Sequence, residues 1–203
     1  MAWLEPIELA GERVTLQPLA ERHAADLAEA IRDGELWKLW YTGVPTPDAV
    51  PDEIGRRLAL QAAGEWLPFA VVDPASGRAV GMTGYLNVVA KVRRLEIGGT
   101  WIRRGVQRTG LNVEAKLLLL RHAFETLDCI AVELRTSSFN QQSRRAIEGL
   151  GAKLDGILRN HYDGAGNMRD TCVYSIIPGE WPLVKRHLQW RLDRYGVGGV
   201  AQG

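Results

Sequence analysis

Short apolar or alternating segments recur along the chain, and each predicts a β-strand. The first has Val14 and Leu16 between polar neighbours, and a later one, "RRLEIGGTWI", carries Gly98 and Gly99 in its middle. A glycine pair inside a strand pattern is typical of a bulge or a close backbone approach. The predicted strands cover residues 12–19, 67–73, 79–89, 93–102, 130–136, 153–159 and 171–177.

Apolar residues at helical spacing predict helices between these strands. Leu27 with Ile31 marks one helix, and Ile54 with Leu58 marks a second. The most periodic helix runs from Val113 to about residue 127. Its predicted apolar face is Val113, Leu117, Leu120, Phe124 and Leu127, and its predicted polar face is Glu114, Arg121 and Glu125.

Two further helices follow in the second half of the chain. "NQQSRRAIEGLG" predicts a short helix with Ser138 or Asn140 as its N-cap and Gly151 near its end. The turn-rich "DGAGN", residues 163–167, predicts that the last two strands form a hairpin. "EWPLVKRHLQWRL" predicts a last helix, with Pro182 suited to the first turn. The order is strand, helices, three strands, helix, strand, helix, two strands, helix, which indicates an α/β protein with a mostly antiparallel centre.

Length and charge limit the class of protein. A chain of 203 residues with 46% apolar content predicts one domain over 1–195, and the glycine-rich residues 196–203 predict a flexible tail. The formal charge is +1, which argues against nucleic acid as a partner. The longest leucine block, Leu117–Leu120, is too short to span a membrane, and the N-terminus lacks a signal-peptide pattern. We therefore expect a soluble cytoplasmic protein.

The cysteines do not indicate a metal site. Cys129 and Cys172 are far apart and lack the ligand spacing of a zinc site. We expect two buried, reduced thiols and no metal.

The segment "GVQRTGLNVEAK", residues 105–116, places glycines between a strand and a helix. Such a turn exposes unpaired amides at the positive end of the helix dipole, where phosphate groups bind. Gly105 and Gly110 have the spacing of a triphosphate loop, but Leu111 and Asn112 stand where Lys and Ser or Thr are needed. A dinucleotide fold needs a different glycine spacing and an early βαβ unit.

A third pattern, Gln107-x-x-Gly110-x-Asn112, resembles the pyrophosphate loop of the GCN5-related N-acetyltransferases (GNAT), with Asn112 in place of the usual Gly or Ala. The resemblance covers nearly the whole chain. It is strongest to the ribosomal-protein N-acetyltransferase (RimJ/RimL) branch, which shares "N-x-x-S-x-x-A-I", "G-x-L-R" and "R-D-T-x-x-Y-S". The family fold is α/β (α+β), with a mixed, mostly antiparallel sheet of about seven strands, flanked by helices and split between strands 4 and 5.

The resemblance implies an acetyl-CoA-dependent N-acetyltransferase. The acceptor is a primary amine, from a protein N-terminus or a small molecule, that attacks the thioester directly. The alternative is a non-catalytic module with the same fold that only binds or senses acyl-CoA. A homodimer is a further expectation, with Trp181 and Trp190 either at its contact or packed internally.

The resemblance also implies which residues hold acetyl-CoA. Gly98 and Gly99 splay the strand from its neighbour, and Arg103 with Arg104 adds positive charge. The expected cofactor-binding residues are Trp101, Ile102 and Arg103 on the strand, Gln107, Arg108, Thr109, Gly110, Leu111 and Asn112 in the loop, and Asn140 with Ser143.

Two residues carry the expected chemistry. Glu96 accepts the amine proton by resemblance, and its alternative is an exposed strand carboxylate. Ser143 protonates the leaving sulfur, while Asn140, on the same helical face, either bonds the pantetheine arm or caps the helix.

Four residues are the expected acceptor contacts. Trp37, Trp40 and Tyr41 precede the proline-rich loop, where the family builds the acceptor wall, and core packing is their alternative. His161 either points into the acceptor site from the last hairpin or lies on the surface.

Overall fold

One eight-stranded sheet forms the centre of the computed structural model, which describes residues 3–162 and 168–195. The strand order is β1-β2-β3-β4-β5-β6-β8-β7, and neighbours are antiparallel except for the parallel pair β5–β6. The strands are β1 (Leu9–Ala10), β2 (Thr15–Pro18), β3 (Leu67–Asp73), β4 (Arg78–Val89), β5 (Arg94–Ile102), β6 (Ala131–Ser137), β7 (Lys153–Tyr162) and β8 (Met168–Ile176).

The mixed, mostly antiparallel α/β architecture confirms the predicted fold class. All seven predicted strands are present, and the two-residue β1 makes the eighth. The helices are α1 (Ala24–Arg32), α2 (Val50–Ala62), α3 (Leu111–Arg121), α4 (Gln141–Glu148) and α5 (Trp181–Arg194). The predicted hairpin turn at 163–167 and the predicted tail at 196–203 lie outside the described residues.

The fourth and fifth predicted strands are β5 and β6 of the structure, and the predicted split in the sheet lies between them. Their pairing begins at Arg94 with Ala131 and ends at Glu96 with Glu133, so the later residues of β5 lack β6 as a neighbour. On the other edge of β5, Gly98 pairs with Gly84 and Trp101 with Met82, which leaves two residues of β5 opposite one of β4. This bulge contains Gly99, whose φ of 58° favours glycine. We call the opening between β5 and β6 the splay.

The helices divide into two layers on the two faces of the sheet. α3 and α5 pack against one face and complete the larger core, which contains Leu95 and Ile97 of β5. α1 and α2 pack on the opposite face over β3, β4 and β5, where Trp101 joins the smaller core. The same face of β6, β8 and β7 borders a cleft of about 500 Å³. We call this second face the open face.

The prediction of a one-sided α3 is wrong. Nearly every residue from Leu111 to Leu120 is buried, because α5 packs along the helix and the turn after β1 folds onto its start. Glu114, expected on the polar face, is 8% exposed and accepts hydrogen bonds from the Glu12 and Arg13 amides at 3.2 and 2.6 Å. A π-helical turn, His122–Thr126, ends the element.

The structure decides between alternatives that the sequence leaves open for Asn140 and Trp181. Asn140 caps α4, since its Oδ1 accepts a 3.0 Å hydrogen bond from the Ser143 amide. Trp181 is buried and stacks on Phe124 with ring centroids 5.4 Å apart, so it packs within the chain, whereas Trp190 is exposed.

Both cysteines are free and buried, as expected. Burial raises the pKa of the Cys129 thiol to about 12. No helix in the two described ranges is both long enough and apolar enough to cross a membrane.

Candidate active site

The glycine loop before α3 presents a row of free backbone donors. Arg108 and Gly110 have φ values of 65° and 88°, which turn the chain sharply into the helix. Within the described residues, no protein acceptor receives a hydrogen bond from the amides of residues 108–112. Adjacent free amides at a helix N-terminus provide a binding site for an anion.

Side chains fix this loop from both sides of the splay. Gln107 donates from Nε2 to the Ile102 carbonyl at 3.0 Å, and Gln142 of α4 donates to Gln107 Oε1 at 3.4 Å. Asp33, just after α1, accepts from the Gly105 amide at 2.8 Å and from Arg103 Nε at 3.0 Å. These two donors hold the pKa of Asp33 below its usual range.

The expected cofactor-binding side chains are not all accessible. Arg108 and Thr109 are exposed, but Leu111 is buried in the core, so only its backbone is available. Gly110 lies under the Tyr195 ring, which would be 3.0 Å from an added Cβ.

The expected contact segment on β5 is also largely enclosed. Trp101 and Ile102 are both buried, and the Arg103 amide already donates to the Val80 carbonyl at 2.8 Å. Two buried atoms of the expected cofactor-binding residues, Trp101 Nε1 and Asn112 Oδ1, have no hydrogen-bond partner in the described part of the chain.

Glu96 is a buried carboxylate at the point where β5 and β6 separate. It is 8% exposed, so the alternative of an exposed strand carboxylate is wrong. Asn87 Nδ2 donates to its Oε2 at 2.8 Å, and Arg135 Nε lies 3.6 Å from the same oxygen. Burial raises the pKa of Glu96, against the opposing effects of Arg135 and Asn87.

The second carboxylate oxygen of Glu96 is free, and Gly98 provides the space for it. A Cβ on residue 98 would lie 2.8 Å from Glu96 Oε1, closer than van der Waals contact allows. Oε1 has no hydrogen-bond partner among the residues that the structure describes. The strand therefore places one free carboxylate oxygen at the splay.

Four charged residues around Glu96 were not identified from sequence: Glu133, Arg135, Arg94 and Arg169. Glu133 accepts from Arg135 at 2.7 Å and is also paired with Arg94, and Arg169 lies near enough to favour the ionised form of Glu96. The alternation in "VELRT" indicates that Glu133 and Arg135 share a face of β6. The parallel register with β5 then puts them beside Glu96.

Ser143 and Asn140 lie at the start of α4, which follows β6 on the far side of the splay. The capping interaction uses Asn140 Oδ1, while its Nδ2 has no recorded partner among the described residues. Ser143 is half-buried, and its hydroxyl has no hydrogen-bond partner among the residues that the structure describes.

The aromatic residues before α2 separate into two groups. Trp37 is half-buried and packs against the smaller core, which is the alternative interpretation. Trp40 is 74% exposed and contacts Phe139 of the β6–α4 loop, with centroids 5.4 Å apart. Tyr41 meets Trp40 edge-on at 5.6 Å. Trp40 and Tyr41 therefore lie outside the core.

A second cleft, of about 330 Å³, lies beside this aromatic pair. Its lining residues are Phe139, Arg159, Asn160, Met168, Arg169 and Asp170. His161 is half-buried, and its Nδ1 lies 3.1 Å from Thr171 Oγ1. The histidine is thus neither fully on the surface nor directed freely into the cleft.

The chain is similar to known acetyltransferases over most of its length. A family model described as an acetyltransferase (GNAT) domain matches residues 13–153. "Uncharacterized N-acetyltransferase p20" of Bacillus licheniformis is 23% identical over 172 residues, which cover 84% of this chain and 96% of that protein.

Two solved structures have the same fold. A GCN5-related N-acetyltransferase from Brucella melitensis has a TM-score of 0.85 and 26% identity, covering 98% of this chain and 91% of that chain. Mycobacterium smegmatis RimJ, in complex with CoA-disulfide, has a TM-score of 0.73 and 22% identity, covering 88% of each chain. The protein described here belongs to the GNAT family and is an N-acetyltransferase.

Proposed function

We propose that the protein transfers the acetyl group of acetyl-CoA to a primary amine, which belongs to a protein N-terminus or to a small molecule. The amine attacks the thioester directly. The observation that carries this proposal is Glu96, a buried carboxylate with one free oxygen at the splay.

The glycine loop suits the diphosphate of the cofactor. The unpaired amides of residues 108–112 can donate to its oxygens, and the α3 dipole favours the negative charge. RimJ, which has the same fold, was solved with a CoA-disulfide. The pantetheine arm would follow β5 at Trp101–Arg103 and approach Asn140 of α4. Acetyl-CoA, when bound, supplies the activated thioester.

Glu96 can accept the proton that the attacking amine must lose. A general base works best when its pKa lies near the working pH, and burial moves the pKa of Glu96 in that direction. Asn87 and Arg135 hold Oε2, which leaves Oε1 for the amine or for a bridging water. The charged groups on the open face thus orient the base without occupying it.

The remaining roles belong to groups on either side of the splay. We assign Ser143 the proton for the departing sulfur, because its hydroxyl is at the start of α4 and has no described partner. Trp40 and Tyr41 would contact the acceptor beside the 330 Å³ cleft, and His161 would reach the acceptor from the hairpin if its ring turned away from Thr171. Trp37 would support the acceptor site indirectly, by packing against the smaller core.

Thiol release from acetyl-CoA tests this function across a panel of small amines and N-terminal peptides. Glu96→Gln should lower kcat/KM by about 100-fold or more, the usual size for loss of a general base, while calorimetry shows unchanged acetyl-CoA affinity. Glu125→Gln, on the π-helical turn away from the splay, is the control and should keep wild-type turnover. Ser143→Ala should also lower kcat.

Each result supports or removes a part of the proposal. Acetyl-CoA binding without turnover on any acceptor would favour the non-catalytic module. Turnover unchanged by Glu96→Gln would remove Glu96 as the base. Absence of acetyl-CoA binding would overturn the function as a whole.

A further inference from the structure

Lys116 is a buried lysine without a counter-ion in the described ranges, where no carboxylate lies within ion-pair distance of its amine. It lies in the second turn of α3 and is 5% exposed. Its Nζ lies 2.6 Å from Thr100 Oγ1 and 3.1 Å from Thr83 Oγ1. Lysine is almost never fully buried unless it is paired, so this position calls for a physical explanation.

The two threonines connect the lysine to the splay. Thr83 of β4 is wholly buried, but Thr100 is an exposed residue of the β5 bulge. The neighbouring Gly99 carbonyl accepts from Arg57 of α2 at 3.1 Å, on the opposite face of the sheet. Two buried cations therefore fix the bulge, one from each face, in the part of β5 that lacks β6 as its neighbour.

The hydrogen atoms of this cluster can be assigned by elimination. A charged Lys116 donates to both hydroxyl oxygens. Thr83 is sealed from solvent, and its hydroxyl lies 2.8 Å from that of Thr100. Since a buried hydroxyl donates its hydrogen wherever an acceptor is within reach, Thr83 donates to Thr100. Thr100 Oγ1 then accepts two hydrogen bonds. The hydroxyl hydrogen of Thr100 can then be donated only to the Gly98 carbonyl oxygen, which lies 3.4 Å from Oγ1, or to a ligand in the splay.

We propose that the Thr100 hydroxyl donates a hydrogen bond to the oxygen of an acyl-thioester bound in the splay, and that Lys116 is a positioning residue that turns this hydroxyl outward. This inference rests on the proposed function and adds a side-chain donor to it. Negative charge develops on the thioester oxygen during acyl transfer. A preoriented donor backed by a buried positive charge stabilises that charge.

The charge of Lys116 sets the direction of the Thr100 hydroxyl. Burial lowers the pKa of Lys116 to about 7. A neutral amine accepts a hydrogen bond, so above this pH the Thr100 hydrogen can turn inward. The buried charged groups on α3 and on the elements around it have other partners: Arg57 of α2 binds Gly99, Glu96 of β5 binds Asn87 on the open face, and Glu114 of α3 binds the Glu12 and Arg13 amides.

Replacing the hydroxyl tests the inference. Thr100→Val keeps the shape of the side chain and should lower kcat by about 100-fold, the size found on removing one oxyanion donor. Calorimetry should show little change in acetyl-CoA affinity. Thr100→Ser is the matched control, because it keeps the hydroxyl and most of the rate. Lys116→Met should lower kcat less than Thr100→Val, and the double variant should be no slower than Thr100→Val alone.

The pH profile separates positioning from a merely structural role. Wild-type kcat should fall as the pH rises past about 7, through the titration of Lys116. Thr100→Val and Lys116→Met should both lose this alkaline limb while remaining folded by thermal unfolding. A Thr100→Val enzyme with the wild-type rate, or with the limb intact, overturns this inference alone. A wild-type protein that does not turn over acetyl-CoA overturns the proposed function as well.

Discussion

The two faces of β5 bury opposite charges in different ways. On the open face, Glu96 has Asn87 and Arg135 as hydrogen-bond and charge partners, and further charged residues surround it. On the α3 face, Lys116 has two hydroxyls and no described counter-ion. Arg135 and Asn87 oppose the rise that burial causes in the pKa of Glu96, whereas the isolated lysine has a strongly lowered pKa. Under the two proposals made above, one strand would offer a proton acceptor on one side and a polarised donor on the other.

The largest effect is expected from filling the space above Gly98 on the open face. Gly98→Ala places a Cβ 2.8 Å from Glu96 Oε1, which displaces the carboxylate. The value of kcat/KM should therefore fall by about 100-fold, measured by steady-state kinetics. Gly55→Ala in α2, where an added Cβ contacts nothing within 4 Å, is the control. Normal turnover in Gly98→Ala would show that the observed position of Oε1 is not needed.

The next largest effect is on the free energy of unfolding, which the burial of Lys116 lowers. Folding lowers the pKa of Lys116 from 10.5 to about 7. The unfolded chain therefore binds more protons across that window, and this group makes wild-type stability rise with pH. Lys116→Met should be more stable than wild type at pH 6, by about 1–4 kcal/mol, with the gap closing towards pH 10.

Urea unfolding at several pH values measures this difference. Lys185→Met, which removes a half-exposed lysine of α5, is the control and should show no such pH dependence. A Lys116→Met variant that is less stable at every pH would contradict the assignment of Lys116 as an unpaired buried charge.

A smaller effect is expected from removing the charge of Arg135 beside Glu96. Arg135 favours the ionised carboxylate, so Arg135→Gln should raise the pKa of Glu96 further. The acid limb of kcat/KM should then move to higher pH, with about a fivefold loss of rate at pH 6 and little loss at pH 9. Arg93→Gln removes an exposed pair with Asp128 and should leave the limb in place. An unmoved limb in Arg135→Gln would assign it to another group.

The smallest effect is expected at the rim of the second cleft. Trp40→Ala removes an exposed side chain. The free energy of unfolding should therefore change by less than about 0.5 kcal/mol. The KM of the acceptor should rise by about threefold, since Trp40 and Phe139 form the aromatic edge. Trp190→Ala is the comparison variant, because Trp190 is also exposed but lies on α5. It should leave the KM of the acceptor unchanged. An unchanged KM would place the acceptor elsewhere.

Local patterns were sufficient for much of the fold and part of the site. Alternation predicted the strands, and Asn140 was one of two predicted caps because a capping hydrogen bond spans only three residues. The glycine loop followed from its position between a strand and a helix, whereas Glu96 was assigned by resemblance to the family. In each case the decisive residues are close together in the chain.

The remaining features depend on contacts between distant segments. Periodicity assigned Glu114 to a solvent face, yet residues 12 and 13 cover it in the folded chain. The burial of Lys116 follows from the packing of α3 against β4 and β5, which no pattern within that helix indicates.

The sequence by itself determined the α/β order of elements, the free amides before α3 and the glycines of β5, because these depend on local backbone geometry and side-chain spacing. Only the tertiary structure decided which charges are buried and which residues are their partners. Burial and electrostatic pairing are set by the register of β5 with β6 and by the packing of helices that are far away in the chain.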